Sequence, residues 1–341
     1  MGLPILAARC ERFPISFSTA TIDKRPSLLI SPMLPFKVIY HPQYDLDLGP
    51  HVFPSQKFRL IREALLAEGI AEASDFLQPE PAPDEDILRV HTPAYVNKLQ
   101  TDSLTLSERM KLEIPLSELT REAFWLAAGG STLAGRKALE DGFAANLSGG
   151  FHHAYPGHGE GFCMIHDVGV AIRSLQAAGK IRTAMTVDTD VHHGNGTAAI
   201  FGSDTSVFTL SIHQENNYPM PKPPSDEDIG LPDGTRDHEY LDALEEGFLH
   251  ALKKMTPDLI FYIGGADPYR EDQLGGLALT IEGLQKRDRL IFEHARGRGI
   301  PVASTLAGGY ARRVADTVRI HINTIIAARD VALQKPFTTK K

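Results

Sequence analysis

Cysteine is scarce in this chain, which has only Cys10 and Cys163 among its 341 residues. Two cysteines in unrelated contexts exclude a disulfide scaffold and a cysteine-based zinc module, and this usage is typical of a reducing compartment. No apolar run is long enough to span a bilayer. The formal net charge of −8 counts against direct nucleic-acid binding, although it allows a cationic substrate. We therefore predict a cytoplasmic protein, with the nucleus as the alternative in a eukaryote.

A Gly-x-Ser-x-Gly elbow is also absent, which argues against a serine nucleophile. Cys163 follows Gly161-Phe162 and is interpreted as a small buried side chain rather than a nucleophile. Residues 1–32 show no periodicity and are predicted to be a leader or a disordered extension, which leaves organelle targeting open. Residues 33–330 are predicted to form the folded domain, and residues 331–341 a tail.

Apolar strands alternate with helical segments along the chain, and no linker or internal repeat divides it. Strands are predicted at 36–40, 144–147, 183–187, 207–212, 259–263 and 302–306. Helices are predicted at 56–66, 93–99, 120–140, 168–178, 240–254 and 277–296. Such alternation predicts a single α/β domain with a central parallel sheet flanked by helices on both faces. Gly129 and Gly130, inside a predicted helix, indicate close approach of a neighbouring element.

Polar motifs follow five of the predicted strands. They are Gly149-Gly150-Phe151-His152-His153, Asp188 to Asn195, Ser211-Ile212-His213, Gly264-Gly265-Ala266-Asp267 and Gly308-Gly309-Tyr310. Open parallel sheets gather their ligand sites at the carboxyl ends of the strands. We therefore expect these five motifs to meet at one edge of the sheet.

Asp190, His192 and Asp267 are the candidate metal ligands. Asp188, Asp190 and His192 alternate along an extended segment, so their side chains point to the same side. Buried carboxylates need a positive partner, and oxygen combined with imidazole nitrogen suits Zn²⁺, Fe²⁺ or Mn²⁺. Three protein ligands leave room for water and a substrate oxygen. The alternatives are a solvated acidic turn for the 188–195 segment and a capping carboxylate for Asp267.

His152 and His153 are the candidate general acid and base, and Asp188 and Asn195 are their candidate partners. A carboxylate partner favours a charged imidazole more strongly than an amide partner does. The phenol of Tyr310 can donate to a carbonyl oxygen. Together these residues indicate metal-activated water attacking an amide. The histidines can alternatively be metal ligands or satisfied core residues, and Tyr310 a packing residue.

These motifs, together with Gly161-Phe162-Cys163, resemble in order the signatures of the zinc-dependent histone deacetylase family, which has the arginase–deacetylase fold. The resemblance covers about residues 36 to 326, and segments 51–54, 272–277 and 286–288 look most like class IV and its bacterial relatives. It implies a deacetylase domain at 33–330 and metal-dependent hydrolysis of N6-acyl-lysine, acetyl or longer, in proteins.

The resemblance also implies the roles of individual residues. It places the metal, Zn²⁺ with Fe²⁺ as the alternative in the cell, on Asp190, His192 and Asp267. It makes His152 and His153 catalytic, the second as the base acting on metal-bound water, with Asp188 behind His152 and Tyr310 stabilising the transition state. Asn195 stands where class I enzymes carry aspartate. A structural K⁺ site is implied at Asp188, Ser211 and Ile212, together with Asp190 and His192.

An acyl-lysine channel is part of the same resemblance. Gly161 and Phe162 match one wall, and Tyr218 resembles the aromatic residue opposite. Leu274 stands where polyamine deacetylases carry a glutamate, which argues against a polyamine substrate. The segment 219–232, with Asp226-Glu227-Asp228, is predicted to be a solvated surface loop, and an acidic rim for a basic peptide is the alternative.

The predicted partner is therefore an acyl-lysine protein or peptide. Two alternatives stay open. The first is a small-molecule amide hydrolase of the same fold, although Asn195 counts against a binuclear ureohydrolase. The second is a non-catalytic acyl-lysine binding module. The physiological substrate, the preferred acyl chain and the oligomeric state do not follow from the sequence.

Overall fold

The computed structural model describes residues 34–334. Its strands are β1 (Lys37–Ile39), β2 (Phe76–Leu77), β3 (Phe143–Asn146), β4 (Ala184–Asp188), β5 (Val207–Gln214), β6 (Glu227–Leu231), β7 (Leu259–Ile263) and β8 (Val302–Thr305). They form one eight-stranded sheet in the order β2-β1-β3-β8-β7-β4-β5-β6. All neighbouring strands run parallel.

Helices connect the strands, as parallel pairing requires. They are α1 (Lys57–Ala67), α2 (Asp84–Ile87), α3 (Pro93–Gln100), α4 (Leu106–Leu112), α5 (Glu118–Asp141), α6 (Asp167–Ala177), α7 (Asn195–Phe201), α8 (Asp237–Lys254), α9 (Ile281–Gly297) and α10 (Val314–Gln334). Within residues 34–334, none of the helices combines the length and the apolar character that crossing a membrane requires.

The sheet is buried on both faces. In β7, Leu259, Phe261 and Ile263 belong to one apolar cluster, whereas Ile260 and Tyr262 belong to another. Successive side chains of a strand point to opposite faces, so the two clusters are the cores on the two sides of the sheet. The first cluster includes residues of α5 and α6, and the second includes residues of α9 and α10 together with the first half of α5. The predicted fold class is therefore confirmed.

The glycines of α5 do allow close packing. A Cβ built at Gly130 would lie 2.8 Å from Asn146 Nδ2 and 2.9 Å from Asn146 Oδ1. The helix start is set by Ser117, whose side chain accepts a hydrogen bond from the backbone N–H of Thr120 at 3.1 Å. Gly130 lets α5 pack directly against β3, the strand that leads to His152 and His153.

The structure differs from the predicted elements in several places. The helix predicted from residue 277 begins at Ile281, because Thr280 caps it by accepting a hydrogen bond from Gly283 N at 2.9 Å. The helix α10 was not predicted, and it includes residues 331–334 of the predicted tail. The predicted leader, residues 1–32, lies outside the described residues.

The prediction of a solvated loop over 219–232 is wrong at its carboxyl end, where Glu227–Leu231 forms β6 beside β5. The carboxylate of Asp226 accepts hydrogen bonds from Thr209 N at 2.8 Å and Thr209 Oγ1 at 2.9 Å. Asp228 Oδ1 lies 3.0 Å from His193 Nε2. Asp226 is thus bonded to β5 and Asp228 to the loop after β4, which also counts against an acidic rim.

Candidate metal and catalytic site

The five strands that carry the polar motifs are neighbours in the sheet, in the order β3-β8-β7-β4-β5. Their parallel pairing brings all five carboxyl ends to one edge. Segments that follow three of them, β3, β4 and β8, line one narrow pocket at this edge. Its polar lining includes His152, His153, Asp190, His192 and Tyr310.

Asp190, His192 and Asp267 come together at this pocket, and the first two belong to its lining. Each offers one ligand atom, and the three atoms lie within 4.8 Å of one another. His192 Nδ1 is 3.0 Å from Asp190 Oδ1 and 3.5 Å from Asp267 Oδ2. All three side chains are buried. Two carboxylates and one imidazole in a buried cluster form a donor set suited to a divalent transition metal.

The local geometry fits a bound cation. Asp267 Oδ1 accepts a hydrogen bond from Val191 N at 2.9 Å, but Asp267 Oδ2 is buried without a hydrogen-bond partner. Burial and the neighbouring Asp190 raise the pKa of Asp267 above its ordinary value. A Cβ built at Gly308 would overlap the Oδ2 atoms of Asp190 and Asp267, so this position needs glycine. An unpartnered buried carboxylate oxygen is what a metal ligand presents before the metal binds.

Arg287 connects the two loops that carry these ligands. Its Nη1 donates to Gly265 O at 2.6 Å and to Thr189 O at 3.2 Å. Its Nε donates to Asp288 Oδ1 at 2.9 Å, and both side chains of this ion pair are fully buried. The guanidinium therefore fixes the backbone next to Asp190 and close to Asp267.

The imidazoles of His152 and His153 face each other, with their Nε2 atoms 3.1 Å apart. His152 Nδ1 lies 2.6 Å from Asp188 Oδ2, and His153 Nδ1 lies 2.7 Å from Asn195 Oδ1. Asp188 ends β4 and Asn195 begins α7. Both pairings are those inferred from the sequence.

The two histidines have opposite protonation preferences. Burial lowers the pKa of His152, but the carboxylates of Asp188 and Asp190 outweigh it and raise the pKa to about 9. Burial and the nearby His152 and His192 lower the pKa of His153 well below its ordinary value. At neutral pH, His152 is therefore positively charged and His153 is neutral.

Tyr310 lies in the same pocket. Its ring centroid is 5.9 Å from that of Phe162 and 6.4 Å from that of Phe53. Burial and the charges of Asp190 and Asp267 raise the pKa of the phenol well above its ordinary value. The phenol therefore stays protonated and is a hydrogen-bond donor at neutral pH.

Asp272, which was not singled out from the sequence, holds the Tyr310 segment. One oxygen of its carboxylate accepts from Tyr310 N at 2.6 Å. The other accepts from Leu274 N at 2.8 Å and from Gly275 N at 3.1 Å. This carboxylate thereby joins the segment after β8 to the segment after β7.

Of the predicted channel residues, Phe162 lines the pocket and Tyr218 stands at its mouth. The Tyr218 ring centroid is 5.0 Å from that of His153, with the planes at 83°. A Cβ built at Gly161 would lie 2.7 Å from His153 Cδ2 and 3.2 Å from the Tyr218 ring, so glycine is required between the two rings. Tyr218, Glu160 and Asn195 line a broader groove of about 790 Å³ beside the pocket.

The remaining predicted residues lie around this site. Leu274 is half-buried outside the pocket lining, and its carbonyl oxygen accepts from Asn217 Nδ2 at 2.9 Å. Asp188 and Ser211 are register partners of β4 and β5, and Ile212 follows Ser211. A K⁺ ion at these residues stays a prediction from the resemblance.

Lys57 is a site residue that the sequence reasoning missed. It is fully buried, its Nζ donates to Ala307 O, and it lies 5.6 Å from the ring centroid of Phe53. Burial lowers the pKa of Lys57 to about 8, although the charges of Asp267 and Asp190 oppose this shift. The sequence did contain an indication that Lys57 is buried, because it lies on the apolar face of α1, four residues before Ile61.

His193, His213 and Asp228 form a second group with ligand atoms within 4.8 Å. His193 and Asp228 are already joined by a 3.0 Å hydrogen bond, and His213 Nδ1 lies 3.0 Å from Ser211 Oγ. We therefore interpret this group as a polar contact between β6 and the loop after β4, and not as a second metal site.

Residues 51–325 match the histone deacetylase domain. The chain is 41% identical over 298 residues to an uncharacterized protein of Picosynechococcus sp. strain PCC 7002, covering 87% of this chain and 99% of that one. It is 30% identical over 304 residues to histone deacetylase 2 of Arabidopsis thaliana, covering 84% and 79%. The crystal structure of an HDAC homolog from Aquifex aeolicus has the same fold, with a TM-score of 0.72 at 24% identity and coverage of 88% and 89%. The chain therefore belongs to the histone deacetylase family of amidohydrolases.

Proposed function

We propose that this protein hydrolyses the amide bond of N6-acyl-lysine in proteins or peptides. The observation that carries the proposal is the convergence of a candidate metal triad, a histidine pair and the Tyr310 phenol on one narrow pocket. Its family consists of amidohydrolases, and each of these groups has a role in cleaving an amide with water.

Asp190, His192 and Asp267 would hold the metal ion, for which Zn²⁺ and Fe²⁺ are the candidates. When bound, such a cation polarises the amide carbonyl and lowers the pKa of water. The protein must also hold the scissile carbonyl. We assign that role to Tyr310, whose protonated phenol donates to the carbonyl oxygen as negative charge develops on it.

His153 is suited to be the base, because it is neutral and its Nε2 faces the pocket. In this proposal His153 takes a proton from the attacking water while the new carbon–oxygen bond forms. The carbon–nitrogen bond then breaks, and the departing lysine nitrogen receives that proton. The products are a carboxylic acid and a lysine amine, and the acid then gives up its proton to the amine or to solvent. His152 stays positively charged beside the reacting groups and stabilises the developing negative charge.

The shape of the site favours an acylated lysine over bulkier amides. Aromatic rings of Phe53, Phe162 and Tyr310 surround the pocket, so a thin aliphatic chain fits it better than a branched group. Leu274 offers no carboxylate for the internal cation of a polyamine. The net charge of −8 favours basic peptides over acidic ones.

The test is a panel of lysine peptides that carry acyl chains of increasing length, together with free acetyl-lysine and an acetylated polyamine. The metal-loaded protein is expected to release carboxylate from at least one peptide more efficiently than from the polyamine. The control is His153→Gln, which removes the proposed base but keeps a polar side chain of similar volume. Equal rates for this variant and the wild type, or turnover of the polyamine alone, would refute the proposal.

A further inference from the structure

The side chain of Glu160 receives hydrogen bonds from three residues at the mouth of the pocket. Glu160 Oε1 accepts from Asn195 Nδ2 at 2.6 Å and from Tyr218 Oη at 3.0 Å. Glu160 Oε2 lies 2.9 Å from His158 Nε2. The Glu160 side chain is only 14% exposed. These three hydrogen bonds and the burial hold the Glu160 carboxylate in one orientation.

An unusual backbone segment delivers Glu160 to this place. Gly161 has φ 54° and Phe162 has φ 67°, and the left-handed region is uncommon for a residue other than glycine. Two backbone hydrogen bonds to the end of α4 hold the turn, from Gly161 N to Lys111 O at 3.1 Å and from Phe162 N to Leu112 O at 3.0 Å. The same turn therefore places Phe162 in the pocket and Glu160 beside Asn195.

Donor and acceptor rules decide how the Asn195 amide points. An ionised carboxylate only accepts hydrogen bonds, so the NH₂ group of Asn195 must face Glu160. Its oxygen must then face His153 at 2.7 Å. An amide oxygen also only accepts, so His153 must carry its proton on Nδ1. In the neutral ring this leaves Nε2, which lies 3.1 Å from His152 Nε2, as the nitrogen without a proton.

We propose that Glu160 is a positioning residue that sets the tautomer of His153 through the Asn195 amide. Without the carboxylate, the amide can turn its NH₂ group toward His153, which favours the wrong tautomer of the base. Glu160 acts on His153 through Asn195. It supplies the negative charge that an aspartate at position 195 would place directly beside His153. The catalytic consequence depends on the function proposed above, whereas the tautomer assignment can be tested without turnover.

The first test is NMR of the full-length, zinc-loaded protein with ¹⁵N-labelled histidine, with His153 assigned by its loss in His153→Gln. The wild type is expected to show the tautomer protonated at Nδ1, and Glu160→Ala is expected to populate the tautomer protonated at Nε2. A His153 that keeps the proton on Nδ1 in Glu160→Ala overturns the proposal.

The second test measures kcat and KM on the best acyl-lysine peptide. Glu160→Gln is expected to lower kcat about tenfold or more with little change in KM, because a neutral amide no longer forces the orientation of Asn195. Combining Glu160→Gln with Asn195→Asp moves the carboxylate next to His153 and is expected to regain most of the lost kcat. Failure of the double variant to exceed Glu160→Gln overturns the proposal, since a packing role would not respond to this exchange.

The matched control is Glu113→Gln, which removes an equal charge from the rim of the same groove. It is expected to keep kcat within about twofold of the wild type, as neutral surface substitutions do. An equal loss of kcat in both glutamine variants would assign the effect to groove charge and overturn the positioning role. If the wild type hydrolyses no acyl-lysine peptide but the tautomer still depends on Glu160, the proposed function fails and the positioning role stands.

Discussion

The guanidinium of Arg287 donates a 2.6 Å hydrogen bond to the carbonyl oxygen of Gly265, two residues before Asp267. A second bond, at 3.2 Å, reaches the carbonyl oxygen of Thr189, directly before Asp190. One buried cation on α9 thus spans the loops after β4 and β7, which supply the three candidate metal ligands. The backbone beside those ligands is thus held by a residue that is not one of the candidate ligands.

The first prediction concerns this contact. Arg287→Met leaves Asp288 buried without its ion-pair partner, so the free energy of unfolding is expected to fall by about 3–5 kcal/mol. Arg289→Met is the control on the same helix. Arg289 pairs with Glu293, but this pair is solvent-exposed: the Arg289 side chain is 42% exposed and the Glu293 side chain 48%. Its free energy of unfolding is expected to change by less than about 0.5 kcal/mol. Urea unfolding of both variants checks the difference, and equal effects would contradict it.

The second prediction concerns metal content. Asp267→Asn keeps an oxygen for the Val191 N–H but removes the charge of the unpartnered Asp267 Oδ2. We expect the metal retained after gel filtration to fall sharply, and with it the rise in melting temperature that added Zn²⁺ causes. Asp228→Asn, in the second histidine–carboxylate group, is expected to leave the metal content unchanged. Elemental analysis decides, and loss of metal in the Asp228 variant would show that the second group also binds an ion.

The third prediction concerns pH. Catalysis as proposed needs His153 neutral and His152 protonated. The lowered pKa of His153 keeps the base active at mildly acidic pH, and the rate is expected to fall as pH rises and His152 loses its proton. The pKa of His152 is about 9 before metal binds, and a cation at Asp190 moves this alkaline limb to lower pH.

Asp188→Asn provides the control for this pH profile, because it removes the carboxylate 2.6 Å from His152 Nδ1. The pKa of His152 and the alkaline limb of kcat are expected to shift to lower pH in this variant. An unchanged limb would show that His152 is not the group responsible.

The fourth prediction concerns Lys57, whose pKa in the folded protein is about 8, below its ordinary value of 10.5. The unfolded chain therefore binds more protons between these two values, so the stability of the wild type rises with pH there. Below pH 8 the full cost of burying the charge is present. Lys57→Met removes this titration. Compared with the wild type, the variant is therefore expected to be more stable at pH 7 than it is at pH 9.5. Urea unfolding at the two pH values checks this, and a difference independent of pH would contradict it.

The sequence was sufficient to predict the fold class because apolar strands alternated with helical segments. Five of these strands carried polar motifs at their carboxyl ends, and a parallel sheet brings such ends to one edge. The sequence was insufficient for β6, because an edge strand exposes alternate residues, and Glu227 and Asp228 look like surface chain until Asp228 is seen beside His193.

Residues that act through tertiary contacts were also missed. Lys57 occupies an apolar helix face, and its role depends on Ala307, which lies 250 positions further along the chain. Glu160 reaches Asn195 only because Gly161 and Phe162 both adopt positive φ values. Local pattern does not determine a left-handed conformation at a phenylalanine, since two backbone hydrogen bonds to α4 hold it there.

The position of each strand within the sheet determines which strands are expected to unfold locally first. Each of the strands β3, β8, β7, β4 and β5 has a hydrogen-bonded neighbour on both sides, while β2 and β6 form the two borders. Strands at a border open first in native-state fluctuations, and the innermost strands open last. Amide hydrogen exchange should therefore start at β2 and β6 and reach last the strands that carry the reaction centre.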